Sequence, residues 1–363
     1  VDSSTPGISA RAAENLSAVL ACINAISGAI GSLPAYVYQA TGKGRQQLPS
    51  HPLQQLIDIG PNAYQTWPEF IEWLVASALL RGNGLAEIVL NSRGEIVELK
   101  PIPWDWCTVN LLPNGRLAFD ITPVQMHYGG TGKTRRLLQH EVIHLRDRTD
   151  DGLIGRSRLQ RAAATVQAGR ELQTFATKMF QHGVFPSGAI ELDGKLNDLQ
   201  RGQFSSAFKE SFASSSNAGR ALILDQGMKW KQLGVNPEDA ELLESRRFSV
   251  EELARLFGVP PPIIQDYTHN TFTNSETAGR WFAVHTLTPW IRKIECEFIR
   301  QVLSTSERGK VQLDIDLSGF LRGDPEQRWK AHEIAIRNQI LEVNEVREVE
   351  GWNPKNETVA APT

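Results

Sequence analysis

Cysteine is scarce in this chain, and its three copies, Cys22, Cys107 and Cys296, stand far apart. An odd number at those separations fits neither a disulfide framework nor a zinc site, and points to a reducing compartment. Long apolar runs are missing as well; none approaches the ~18–20 residues that a membrane span needs. The opening stretch, Val1 to Gly7, is Ser/Thr/Pro-rich, has no Met and shows no signal-peptide pattern. The chain therefore reads as trimmed and without membrane targeting. Excess charge is also lacking: 38 basic against 41 acidic residues leave −3. That balance argues against a protein that wraps nucleic acid through bulk positive charge, though not against one that lets it pass ungripped.

Catalytic signatures are equally thin. Gly129-Gly130-Thr131-Gly132-Lys133-Thr134 resembles a phosphate loop, but the position five residues before Gly132 is His127 where the motif requires Gly. A glycine-rich hairpin turn is the better reading. Asp314 and Asp316 share one strand face and Asp324 suits a helix N-cap, so the three acids read as structural and not as a metal site. No His pair has metalloprotease spacing, no Cys–His pair is suggested, and no Gly-x-Ser-x-Gly elbow occurs. The sequence predicts no enzyme, no cofactor and no metal.

What is present is 363 residues of ordinary globular composition, 41% apolar and 22% charged, enough for two or three core-bearing units. The spacing predicts a helix over 11–31, with Leu16, Val19, Leu20, Ile23, Ile26 and Ile30 on one face. A strand at Tyr36-Val37-Tyr38 follows, then a short helix opened by His51-Pro52-Leu53. A further helix from Trp67 ends at Gly82-Asn83-Gly84. The period then changes to two, with a hairpin over Ala86–Leu90 and Ile96–Leu99 and strands near Thr108–Leu112, Leu117–Ile121 and Val142–Leu145. These first ~150 residues form an α+β unit. A long helix is predicted over 155–183 and a small insertion after it, with strands at Ala189–Leu192, Ala221–Leu224 and Met228–Leu233.

The most informative stretch runs from Asn236 to about Ser304. A charged helix opens on Asn236-Pro237-Glu238-Asp239 and stops at Gly258-Val259-Pro260-Pro261-Pro262. A polar loop, Thr268-His269-Asn270-Thr271-Phe272-Thr273-Asn274, leads into an amphipathic helix over 275–304 that Pro289 should kink. Ser249 to Val259 also resembles the start of a helix-turn-helix, the basis of a rival reading as a DNA-binding regulator. Its would-be recognition helix, however, opens on three prolines and presents Ile263 and Ile264 to the bases. A strand at Val311–Leu317, a helix from Asp324-Pro325 and a short helix near Asn344–Glu350 close the ordered part. Nine scattered tryptophans read mostly as core.

With this order laid out, the chain resembles the portal proteins of tailed bacteriophages, in the branch found in lambdoid-type siphophages. The resemblance runs from about Leu16 to Pro354. It rests on His51-Pro52-Leu53 with Pro61-Asn62, on Gly82-Asn83, and on Ile143-His144-Leu145 followed by Gly152 and Gly155-Arg156-Ser157. Pro186-Ser187-Gly188, Asn217-Ala218-Gly219-Arg220, Arg246-Arg247-Phe248 and the run Ala254 to Pro261 continue it, and Arg322-Gly323-Asp324 and Asn344-Glu345-Val346-Arg347 complete it. Arg158 stands where the family usually has Pro, and Gly84-Leu85 replaces a commoner Ala-Tyr.

The resemblance implies an α+β portal fold. Residues 1–154 would be the wing, 155–183 the first stem helix, 184–235 the clip and 236–257 the second stem helix. The tunnel loop would span 258–275, the kinked helix and wing return strand 276–320, and the crown base and tail 321–363, with most of a C-terminal crown expected to be missing. It implies a non-enzymatic ring, usually dodecameric, at one capsid vertex in the virion, assembled in the host cytoplasm. Double-stranded DNA would pass it non-specifically during packaging and ejection. The implied partners are the major capsid protein, the large terminase and a head–tail adaptor, with no membrane. Thr268, His269, Asn270, Thr271, Phe272, Thr273 and Asn274 would face the channel. Glu191, Lys195, Lys209, Lys229 and Lys231 would be the clip's docking residues.

Overall fold

In chain order the helices are α1 (Ala10–Ala13), α2 (Ser17–Gly31), α3 (Pro52–Ile59), α4 (Trp67–Arg81), α5 (Arg158–Arg161), α6 (Ala163–His182), α7 (249–257), α8 (Phe272–Phe282), α9 (Thr288–Gln301), α10 (Pro325–Arg337) and α11 (Val343–Val349). The strands are β1 (Ala35–Thr41), β2 (Gly44–Gln47), β3 (Asn83–Leu90), β4 (Ile96–Ile102), β5 (Cys107–Leu111), β6 (Leu117–Ile121), β7 (Arg135–Leu138), β8 (Val142–Arg146), β9 (Ala189–Glu191), β10 (Lys229–Lys231) and β11 (Val311–Ile315). This computed structural model describes residues 9–42, 44–123, 132–182, 189–191, 202, 229–231, 249–267, 272–318, 325–350, 352–353 and 355. Among the described residues no helix is long and apolar enough to cross a membrane.

The chain divides into two compact units. One takes Val1–Leu20 and Leu159–Leu256; the other takes Ala21–Arg158 and Phe257–Thr363. In the first, α6 buries Val166 and Ala176. Gly169 leaves room for the Ser249 hydroxyl at the start of α7, where an added methyl would meet it at 3.0 Å. β9 and β10 pair antiparallel, Ile190 opposite Trp230.

The second unit holds three small antiparallel sheets, ordered β11-β1-β2, β4-β3-β8 and β5-β6-β7. Alternation explains the strands: β6 buries Leu117, Phe119 and Ile121, which meet Leu85, Ile102, Leu137 and Val142 in one apolar cluster. β1 finds its partner almost three hundred residues away, with Ala35 opposite Ile315 and Gln39 opposite Val311. The predicted helix from Trp67 is present as α4, opened by a capping box in which the Glu69 carboxylate accepts the Thr66 N–H at 2.8 Å. Those bonds to Thr66 hold the Glu69 carboxyl below its ordinary range. Gly82 ends α4 in the left-handed region, as a C-cap glycine does.

α9 carries much of the packing. Trp290, Ile291, Ile294 and Phe298 are buried along it, with Phe298 edge-on to Trp67 at 5.6 Å. Two carboxylates on the same helix are buried as well. Glu295 accepts the Ile315 N–H at 3.0 Å, and Glu297 accepts the His144 N–H at 3.2 Å. β11 and β8 are edge strands, so each acid satisfies a backbone donor that no neighbouring strand takes. Arg292 and Arg300 neutralise the pair at 2.8 and 2.6 Å.

Several sequence expectations are corrected. The helix expected over 11–31 is two, because the chain turns at Glu14 and Asn15. The helix expected from Gly155 begins at Arg158, since Gly155 is held in an extended bridge to Thr149. β7 lies where no strand was predicted, its Arg-Arg-Leu-Leu sequence giving little alternation. The helix expected over 275–304 begins at Phe272, so Phe272, Thr273 and Asn274 stand in its first turn and not in a loop. The disturbance expected at Pro289 in that helix takes the form of a π-helical segment, Ala283–Leu287, with Pro289 following in the first turn of α9. A proline without an N–H and with a ring against the preceding turn favours such a widened turn. Thr288 completes it by donating its hydroxyl to the Ala283 carbonyl at 2.9 Å. The strand Ala221–Leu224 lies outside the described residues, as does the charged helix from Asn236 up to position 248; its last part, 249–257, is α7.

Candidate functional site

The residues that carry the family resemblance in sequence converge in the fold. Asn83 follows the α4 cap and is 1% exposed. Its side chain donates to the Gly155 carbonyl at 2.8 Å and accepts from the Gly155 N–H at 2.9 Å. Its oxygen also accepts from the His144 ring nitrogen at 2.9 Å, which fixes the tautomer with the proton on Nε2. Gly82 and Gly155 approach so closely that a Cβ on either would collide with the other's backbone. Gly84 is similarly pressed against the Leu74 carbonyl. One amide thus locks the start of β3, the β8 edge and the chain entering α5.

His144 is the core of this lock, not a reactive group. It stacks on Trp104 at 5.5 Å and meets Phe119 edge-on at 5.3 Å. Burial, aided by Arg146 and Arg300, lowers its pKa to about 3, so it is neutral at pH 7. Cys22 and Cys107 are pushed up to about 12 by burial and are not thiolates. Among the described residues no three His, Cys, Asp or Glu side chains could hold a metal ion. Asp314 pairs with Arg45 at 2.7 Å, and Asp316 accepts the Ser318 N–H at the same distance.

Other resemblance segments are pinned in the same manner. His51 caps α3 through the Leu53 N–H at 3.1 Å, and its Nε2 lies 3.2 Å from Glu307. Asn62 donates to the Leu99 carbonyl at 3.0 Å, and Leu99 donates to Pro61 at 2.7 Å, so the α3–α4 turn holds β4.

The approach to the predicted loop is built at Arg158. Its Nε donates to the buried Asp147 carboxylate at 3.1 Å, and its Nη1 donates to the Phe257 carbonyl at 2.6 Å. A cation thus sits on a carbonyl at the C-terminal end of α7, where the helix dipole favours it. The backbone then turns left-handed at Gly258, whose carbonyl accepts the Thr286 hydroxyl. Pro261–Ile264 form one 3-10 turn, ended by Gln265 at φ 64°. Four residues of 3-10 helix are no recognition helix, which overturns the helix-turn-helix reading. Pro289, Trp290, Thr286, His285 and Trp281 line a cavity of about 130 Å³ beside Arg158.

Of the predicted channel residues, Thr268, His269, Asn270 and Thr271 lie outside the described residues. Phe272, Thr273 and Asn274 are described only as backbone in α8. Among the clip residues, Lys195 and Lys209 lie outside them too. Glu191 and Lys229 are opposite each other across β9 and β10, and Lys231 pairs with Ala189. The sequence reading did not single out Asp147, Glu295, Glu297 or Thr286.

Comparison with known proteins agrees with this arrangement. The family model described as phage portal protein matches residues 17–351. The portal protein of Enterobacteria phage HK97 is 28% identical over 344 residues, covering 93% of this chain and 79% of that one. Among solved structures, a chain in the virion of the native gene transfer agent particle superposes with a TM-score of 0.65 at 24% identity, covering 95% of this chain and 94% of that one. A chain from the neck of the native particle, computed with C12 symmetry, gives 0.62 at 24% identity, covering 93% and 91%.

Proposed function

The chain belongs to the phage portal protein family, and on that premise we propose that it is one subunit of a ring that lines the DNA channel at a single capsid vertex. The family match over residues 17–351 carries this reading. The symmetric neck in which a structurally similar chain stands supports a homo-oligomeric ring, with twelve subunits as the expected number. The protein's place is the virion, and its role is structural. The large terminase supplies nucleotide hydrolysis, docks on the clip around Glu191, Lys195, Lys209, Lys229 and Lys231, and is later replaced by a head–tail adaptor; the major capsid protein surrounds the ring.

The channel chemistry follows from composition. Thr268, His269, Asn270 and Thr271 offer hydroxyls, an amide and an imidazole, with no Lys or Arg. Such groups touch phosphates without holding them, whereas grooves that retain nucleic acid use basic and aromatic side chains. The Arg158 bond to the Phe257 carbonyl holds the segment that leads toward the loop. Electron microscopy of the purified chain tests the proposal: ring-shaped particles are expected, and a strictly monomeric species at all concentrations overturns it.

A further inference from the structure

A second cavity borders the lock and shares His144 with it. It measures about 360 Å³, and its lining includes the cations Arg146, Lys293 and Arg300, the thiol of Cys296 and the carboxylates of Asp147 and Glu297. Lys293, Cys296, Glu297 and Arg300 fall at i, i+3, i+4 and i+7 on α9, hence on one helix face. Arg146 comes from the end of β8. The three cations are held in place by one edge each. Arg146 donates through Nη1 to the Gly152 carbonyl at 2.8 Å, Arg300 through Nη2 to Glu297 at 2.6 Å, and Lys293 to the Arg146 carbonyl at 3.2 Å.

The negative groups nearby are already occupied. Glu297 accepts from the His144 N–H, from Gln301 and from Arg300. Asp147 is paired with Arg158. His144 adds neither charge. Lys293 is pushed down chiefly by burial; Asp147 pulls it up, and Arg158 and Arg146 each push it down by less than that pull.

We propose that this cavity is a phosphate site: Arg146, Lys293 and Arg300 bind a phosphate oxyanion through charge-assisted hydrogen bonds. The ligand is inorganic phosphate or a phosphate of a nucleic acid backbone, which share that chemistry. The site draws on none of residues 268–271, whose sequence has no cation, and it does not rest on the channel reading.

Cys296 supplies the probe. It is exposed in the cavity wall, whereas the Cys22 and Cys107 thiols are raised to about 12. The full chain is treated with a neutral disulfide reagent in phosphate-free buffer, with chloride matching ionic strength throughout. Sodium phosphate and a short duplex oligonucleotide are titrated separately. Saturable slowing of Cys296 modification is expected, by phosphate alone for a free-anion site and by the duplex at lower concentration for a backbone site. Arg300→Gln, at a half-exposed position, should weaken that protection about tenfold, the loss expected for one charge-assisted hydrogen bond. Lys293→Gln should do the same, and phosphorus NMR line broadening on the unaltered chain gives a second measure. Slowing no greater than with chloride, or protection unchanged in Arg300→Gln, overturns the proposal.

Discussion

Replacing Asn83 with Ala should unlock the fold at one point, and the cost follows from the groups it abandons. The Gly155 N–H, the Gly155 carbonyl and the His144 Nε2–H all lose their partner, at 2.9, 2.8 and 2.9 Å. Asn83 is 1% exposed, so water does not reach it without rearrangement. An unsatisfied buried polar group costs about 1–3 kcal/mol, and relaxation recovers part of the sum. The expected loss is about 4 kcal/mol, a large share of the ~5–15 kcal/mol typical of a folded domain. Asn110→Ala sets the scale, because its bond to Asp120 is only part-buried and should be worth about 1 kcal/mol or less. Urea unfolding followed by circular dichroism compares the two variants, and hydrogen exchange over residues 142–158 locates the damage. A loss for Asn83→Ala no larger than for Asn110→Ala would refute the lock.

Three further outcomes are expected. His144 takes up no proton in the folded chain until about pH 3, while the unfolded chain protonates below 6.5. Its contribution is present above pH 6.5 and is lost as pH falls toward 3, at up to about 1.4 kcal/mol per unit. The stability gap between the unaltered chain and His144→Gln should therefore shrink on acidification; a constant gap counts against a neutral buried ring. Arg158→Met strands the Asp147 carboxylate and should cost about 3 kcal/mol, with Asp147→Asn recovering a good part of it in the double variant, as thermal unfolding would show. Thr271→Asp should impair DNA packaging more than ring formation, measured by particle imaging beside a packaging assay; equal loss of both would sink the channel role of that loop.

Periodicity carried the apolar helices and strands, because burial of one face leaves a pattern of 3.6 or 2. It located α4, the β3–β4 hairpin, β6 and β11 to within a few residues. It could not reveal contacts between distant segments. The Asn83 amide reaches Gly155 across seventy-two positions, and nothing in either neighbourhood names the other. The resemblance did mark both, along with His144, without saying that they touch. Pro289 was legible as a disturbance, but the π-helical turn before it depends on Thr288 and the Ala283 carbonyl as much as on the ring. Glu295 and Glu297 were opaque for the opposite reason: acids on a helix ordinarily signal solvent, and here they face strand edges.

The pairing of β1 with β11 has a consequence for the order of events in the cell. Ala35 leaves the ribosome early, yet its partner Ile315 is made only after α9 and everything between. Until then β1 has β2 alone, and two strands are a marginal sheet. Glu295 likewise waits for the Ile315 N–H. A nascent or prematurely terminated chain that lacks β11 would therefore be left with this sheet unfinished and with an open edge, however well the rest had formed. Completion of the sheet requires that everything between its two halves has already been made.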